Sequence, residues 1–287
     1  MSEHDINFDD YAQADIAKKV EAAGVKKANL SFWCLVLSSI LAGGFIAIGG
    51  IFFTLATYDS TLPNGLTRVI GGLVFCVGLI LVIVAGAELF TGNNLIVMGF
   101  ISRVVTFKQL IRNWGIVYIG NFIGSLAVVY LFYYTNIWKM GDFAYGAKAV
   151  AIAASKVNLT FAEGLTRGIL CNALVCLAVW MCFGARQIIS KIAAIIFPIT
   201  AFVALSFEHS IANMSFIPLG LTLKNNPNVI EALAKTSPGL NLANLTIYGM
   251  FGNLFSVTLG NIIGGALLIG AVYWVITILP QKRKKQE

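Results

Sequence analysis

The sequence predicts an all-α polytopic membrane protein, with six transmembrane helices in two inverted three-helix repeats and broken second and fifth helices. Three observations predict it. The 287 residues are 58% hydrophobic and only 11% charged, against about 25% charged in soluble domains, too little to cover a water-facing surface. Six apolar segments long enough to span the hydrocarbon core follow one another. Two of them carry the same polar interruption, and a second motif echoes downstream of each in the same order.

Residues 1–29 are charged and lack the apolar core of a cleavable signal peptide. They are expected to form a cytoplasmic tail bearing an amphipathic surface helix from Phe8 to Ala23. Phe8, Ala12, Ile16 and Val20 would form its apolar stripe, and Gly24 its stop. Residues 30–280 form the expected membrane domain. Its segments are Ser31–Thr57, Val69–Leu89 (resuming at Leu95–Ile101), Trp114–Trp138, Leu165–Phe183, Ile192–Phe207 (resuming at Met214–Leu221) and Tyr248–Leu279. A loop, 139–164, joins the third and fourth. Residues 281–287 are a basic tail. With six spans both termini share a side, and most of the 20 Lys and Arg fall on it. Excess Lys and Arg mark the cytoplasmic face, so a multi-pass inner-membrane protein with both termini cytoplasmic is expected.

The interruptions carry the chemistry. Glu88-Leu89-Phe90-Thr91-Gly92-Asn93 aligns with Glu208-His209-Ser210-Ile211-Ala212-Asn213. Downstream, Gly120-Asn121-x-x-Gly124 aligns with Gly260-Asn261-x-x-Gly264. Polar groups in apolar surroundings cost several kcal/mol unless paired, and irregular backbone at membrane depth survives only where protein buries it or it lines a cavity. Breaks are therefore expected at Leu89–Asn94 and Glu208–Asn213. Repeats of this kind mark transporters and channels with the site at the repeat interface. The five cysteines lie in apolar segments without ligand spacing, and His4 and His209 are the only histidines. No metal, haem or other cofactor is expected, no catalytic residue, and no nucleic-acid partner, because the positive charge is scattered over short loops.

These motifs, Phe207-Glu208-His209-Ser210-Ile211-Ala212-Asn213-Met214 above all, resemble the formate/nitrite transporter family, and most closely its formate channels. Glu88 stands where formate channels usually have Asp. The resemblance spans nearly the whole chain. It implies an aquaporin-like homopentamer in the lipid bilayer, each subunit passing small monovalent weak-acid anions such as formate, with protons as a second partner. Carried over residue by residue, it implies that Thr91 faces His209 and meets the anion, and that Asn172 reaches the same central site. Leu89 and Phe90 would narrow the pore with Phe75, Leu79 and Phe202. Lys156 would line the outer vestibule. Glu88, Asn93, Asn121, Glu208, Asn213 and Asn261 would support the breaks. His titrates nearest neutrality, so an anion is expected to take a proton near His209 and cross as the acid. Nitrite or hydrosulfide is the alternative substrate. A neutral-solute facilitator of the aquaporin class fits less well, since such channels carry paired Asn-Pro-Ala motifs and here the Asn226-Pro227 pair is in a loop without a partner.

Overall fold

The computed structural model describes residues 11–283. Phe8, His4, Asp9, Asp10 and residues 284–287 lie outside them. Among the described residues the chain is helical and has no strand. The helices are α1 (Gln13–Ala28), α2 (Phe32–Thr57), α3 (Asn64–Ala85), α4 (Phe90–Ile101), α5 (Phe107–Tyr134), α6 (Ala144–Val157), α7 (Phe161–Gly184), α8 (Ile188–Ala204), α9 (Ser210–Leu223), α10 (Pro227–Thr236) and α11 (Ile247–Lys282). Five of them, α2, α3, α5, α7 and α11, are long and apolar enough to cross a membrane. Helices α4, α8 and α9 are shorter apolar helices. Helix α11 runs π-helically over Ile263–Ala271 and Trp274–Ile278.

The residues at the helix starts explain where they begin. Thr106 and Thr160 form capping boxes with Gln109 and Glu163, each satisfying two end donors that would otherwise lack partners. Pro227 opens α10, where its missing N–H costs nothing.

The helix pairs α2–α5 and α7–α11 close on small residues. Without a hydrophobic drive between helices in lipid, association rests on close packing and hydrogen bonds. The Gly-Asn-x-x-Gly motif supplies the close packing. A Cβ on Gly120 or Gly124 would collide with Ser39 or the Ile40 carbonyl of α2. A Cβ on Gly260 or Gly264 would collide with the Leu165 or Ile169 carbonyl of α7.

Two expected segments differ. The N-terminal helix runs through Gly24 to Ala28 instead of stopping there, and its buried face is Ala17, Val20, Gly24 and Ala28. Gly24 stays helical and serves a close approach instead: a Cβ there would sit 3.3 Å from the Ile96 Cα of α4. Helix α1 therefore packs through this face against α4. The loop between the third and fourth segments contains α6, whose Ala-rich face is buried against α9. Its short apolar stripe is too weak a period to read against the longer helices around it.

The glycine contacts give a stability prediction. Gly124→Ala should lower the unfolding temperature in detergent, at a cost of about 1–3 kcal/mol for overpacking. Gly115→Ala, where an added Cβ meets nothing within 4 Å, should leave it unchanged or raise it. Equal effects would show that the α2–α5 approach is not tight.

Candidate functional site

Each half of the chain has one interrupted helix, and the two interruptions are built alike. Helix α3 ends at Gly86, in the left-handed conformation at φ 83°, and α4 starts after Leu89. Helix α8 ends at Ala204, and α9 starts after His209. Both breaks therefore lie upstream of the expected Leu89–Asn94 and Glu208–Asn213: Thr91, Asn93, Ile211 and Asn213 are helical. The polar residues mark the start of the new helix because their side chains occupy its free donors.

One asparagine pins each break. Asn121 Nδ2 donates to the Ser39 and Glu88 carbonyls at 2.7 and 2.9 Å, and its Oδ1 accepts from Phe90 N at 3.0 Å. Asn261 Nδ2 donates to the Gly168 and Glu208 carbonyls at 2.9 and 3.0 Å, and its Oδ1 accepts from Ser210 N at 2.9 Å.

Around each break sits a Lys–Glu–Asn–Asn cluster. Lys27 Nζ donates to Glu88 Oε1 and Asn93 Oδ1, both at 2.9 Å. Asn93 Nδ2 donates to Glu88 Oε2 (2.7 Å) and Asn113 Oδ1 (2.9 Å), and Asn113 Nδ2 returns to the Lys27 carbonyl (3.0 Å). In the second cluster Lys156 Nζ donates to both Glu208 oxygens at 3.0 and 3.1 Å. Asn213 Nδ2 donates to Glu208 Oε2 (2.6 Å) and Asn253 Oδ1 (2.8 Å), and Asn253 Nδ2 to the Lys156 carbonyl (2.8 Å). Lys156 thus sits on helix α6, not on a free loop.

Lys27, Asn113 and Asn253 were not among the expected site residues. Two further matches would have found them. Asn113 and Asn253 each stand eight residues before Asn121 and Asn261, and Lys27-Ala28-Asn29-Leu30-Ser31-Phe32 matches Lys156-Val157-Asn158-Leu159-Thr160-Phe161.

The two helix starts meet at Thr91 and His209. Thr91 Oγ1 and His209 Nε2 are 2.9 Å apart and both residues are buried. His209 is also the N-cap of α9: its Nδ1 accepts from Ala212 N at 3.1 Å. A backbone N–H can only donate, so Nδ1 carries no proton here. The neutral ring then holds its proton on Nε2 and donates to Thr91. Phe202 stacks on the imidazole (centroids 5.9 Å, 21° between planes) and meets Phe75 edge-on at 5.9 Å.

Two cavities lie near this contact, and His209 lines the second of them. One, of about 480 Å³, is lined by Lys26, Lys27, Lys191, Leu79, Glu88 and Leu89 among others. The other, of about 380 Å³, is lined by Lys156, Glu208, His209, Phe75 and Phe202 among others. Phe75 and Leu79, one turn apart on α3, line different cavities, Leu79 with Leu89 in the first and Phe75 with Phe202 and His209 in the second.

Phe90 lies elsewhere than expected. Its ring packs against Trp114 (6.1 Å) and Tyr118 (5.0 Å), and it lines neither cavity. Asn172 also lines neither cavity. It stands behind Thr91, donating to the Thr91 and Asn261 carbonyls and to Asn94 Oδ1.

This arrangement of paired broken helices about one buried polar contact defines a membrane protein that passes small solutes. Residues 14–275 match the formate/nitrite transporter family, and the chain belongs to it. It is 41% identical over 271 residues to the formate channel FocA of Escherichia coli K12, covering 94% of this chain and 95% of that one. It is 37% identical to FocA of Haemophilus influenzae, covering 90% and 91%. Among solved structures it is similar to a pentameric formate channel with formate bound (TM-score 0.76, 38% identity, 86% of this chain and 98% of that one).

The second cluster gives a coupling prediction. The Lys156 and Glu208 side chains are 13% and 4% exposed. Lys156→Met should therefore destabilise the protein by about 3–5 kcal/mol, because it strands a buried carboxylate. Adding Glu208→Gln should recover most of that. Lys27→Met should cost less, since Lys27 is 29% exposed. Identical unfolding temperatures for the single and double variants would contradict the coupling.

Proposed function

We propose that this chain is a channel for formate and similar small monovalent weak-acid anions. In this reading it works as a homopentamer in the cytoplasmic membrane, one pore per subunit, with both termini in the cytoplasm. Six spans are counted by joining α8 and α9 as one broken span and α4 to α3 as another. The parallel Lys–Glu–Asn–Asn clusters support two inverted halves, with α1 and α6 as equivalents. The relatives are channels and transporters rather than enzymes.

The observation that carries the reading is the Thr91–His209 contact at 2.9 Å within an apolar barrier, with a lysine-lined cavity on either side. A small anion is drawn into each mouth by positive field. It cannot enter the Phe75–Phe202 and Leu79–Leu89 barrier as an ion, because desolvation costs too much. The weak acid can, once it has taken a proton. Thr91 and the His209 Nε2–H then supply the hydrogen bonds it needs at the centre.

Proton donation by His209 has a structural requirement. A charged imidazole carries protons on both nitrogens, so Nδ1 must give up the Ala212 N–H. The ring leaves its capping position when it charges, and Asn261 and Glu208 hold the helix start meanwhile.

Two substitutions test this. Asn is a good N-cap and cannot donate a titratable proton near neutrality. His209→Asn should fold and retain the cap but lose most proton-coupled formate uptake. His209→Phe should assemble but lose the pH dependence of flux. The measurement is formate flux into proteoliposomes with simultaneous internal pH recording. Proton-coupled uptake by His209→Asn at the parent rate would remove His209 as the donor.

A further inference from the structure

The cavity on the Lys156 side holds more positive charge than the transport path uses. Arg68, Lys148, Lys156 and Arg167 all line it, and among the described residues Glu208 is its only lining carboxylate. Lys156 is paired with Glu208 and Arg167 with Glu163. Arg68 and Lys148 have no carboxylate partner among the described residues. Arg68 spends one N–H on the Ala204 carbonyl at 3.3 Å, leaving the rest of its fork free. Lys148 is partly buried and has no hydrogen-bond partner among the described residues. Burial, and then the neighbouring Arg68 charge, push its ammonium below the usual lysine range. Two like charges thus line one concave site, neither with a carboxylate partner among the described residues, an arrangement that an anion of higher charge relieves.

We propose that Arg68 and Lys148 form a binding site for a divalent oxyanion in the mouth of the pore, and that the bound anion blocks the channel. Attraction grows with ligand charge, and near a wet surface a monovalent anion gains little from each cation. Arg presents a planar fork suited to oxyanions, while Lys adds a point charge. A cavity of about 380 Å³ admits an ion the size of sulfate. Such an ion cannot go further, since it would have to enter the Phe75–Phe202 barrier carrying charge that one proton does not remove. It therefore stays on the route of the monovalent substrate. The site itself stands on the cavity and its charges; the block rests on the transport reading above.

The probe is inorganic sulfate, against sodium chloride at matched ionic strength. Calorimetric titration of the detergent-solubilised protein should show saturable sulfate binding, with affinity falling about tenfold in Lys148→Gln and in Arg68→Gln, as for loss of one charge-assisted bond, and unchanged in Lys148→Arg. In proteoliposomes, sulfate should slow formate flux, with the half-blocking concentration rising by the same factor in the two Gln variants, each measured against its own sulfate-free rate. Sulfate binding that all variants share, or no binding beyond the chloride control, would overturn the site. Binding lost in the variants with no effect of sulfate on flux would overturn the block while leaving the site.

Discussion

A helix interrupted at membrane depth has donors and acceptors that no water can reach, and each unpaired group costs several kcal/mol. Asn121 and Asn261 meet that demand. Each takes a side-chain position on a neighbouring long helix and uses its carboxamide three times, twice as donor and once as acceptor. A carboxylate could not donate and a hydroxyl could not span the three groups. Everything at the centre of the molecule depends on these two residues, because they fix where α4 and α9 begin and so where Thr91 and His209 meet.

The two halves agree in the parts that hold the backbone and differ in the parts that face the barrier. Leu89 and His209 are equivalent positions, yet one is apolar and the other caps a helix and reaches Thr91. Phe90 packs among aromatic rings, whereas its counterpart Ser210 is small and its hydroxyl has no partner among the described residues. Lys27 bridges a carboxylate and an amide, while Lys156 uses both arms of one carboxylate and leaves Asn213 Oδ1 without a partner among the described residues. The two breaks share their bracing, and their differences fall on the residues that meet at Thr91 and His209.

Much of this frame was legible in the sequence, because buried ions among apolar residues stand out. Glu88, Glu208, His209 and the Gly-Asn-x-x-Gly motifs could be read from their cost alone, and their order exposed the repeat. The helix starts were read a few residues late, because Glu and Asn look like interruptions when they are in fact the residues that cap and brace the next helix. Lys27 and Lys156 were harder. A lysine just before an apolar segment looks like a solvated charge, and only its pairing with a distant carboxylate shows otherwise. Helix α6 was hidden for a similar reason, since an Ala-rich face packed on α9 has little hydropathy contrast. The orientation of Phe90 depends on rotation about a helix start, which spacing does not encode.

The central claim is that the barrier passes a solute only after its charge has been removed. Paired uptake measurements in proteoliposomes test it most directly, comparing formate with a strong-acid anion of similar size such as nitrate across a series of pH values. The account predicts that formate flux rises as pH falls, and that nitrate, which cannot be neutralised, is nearly excluded at every pH. Nitrate passing as fast as formate, with no pH dependence for either, would contradict it.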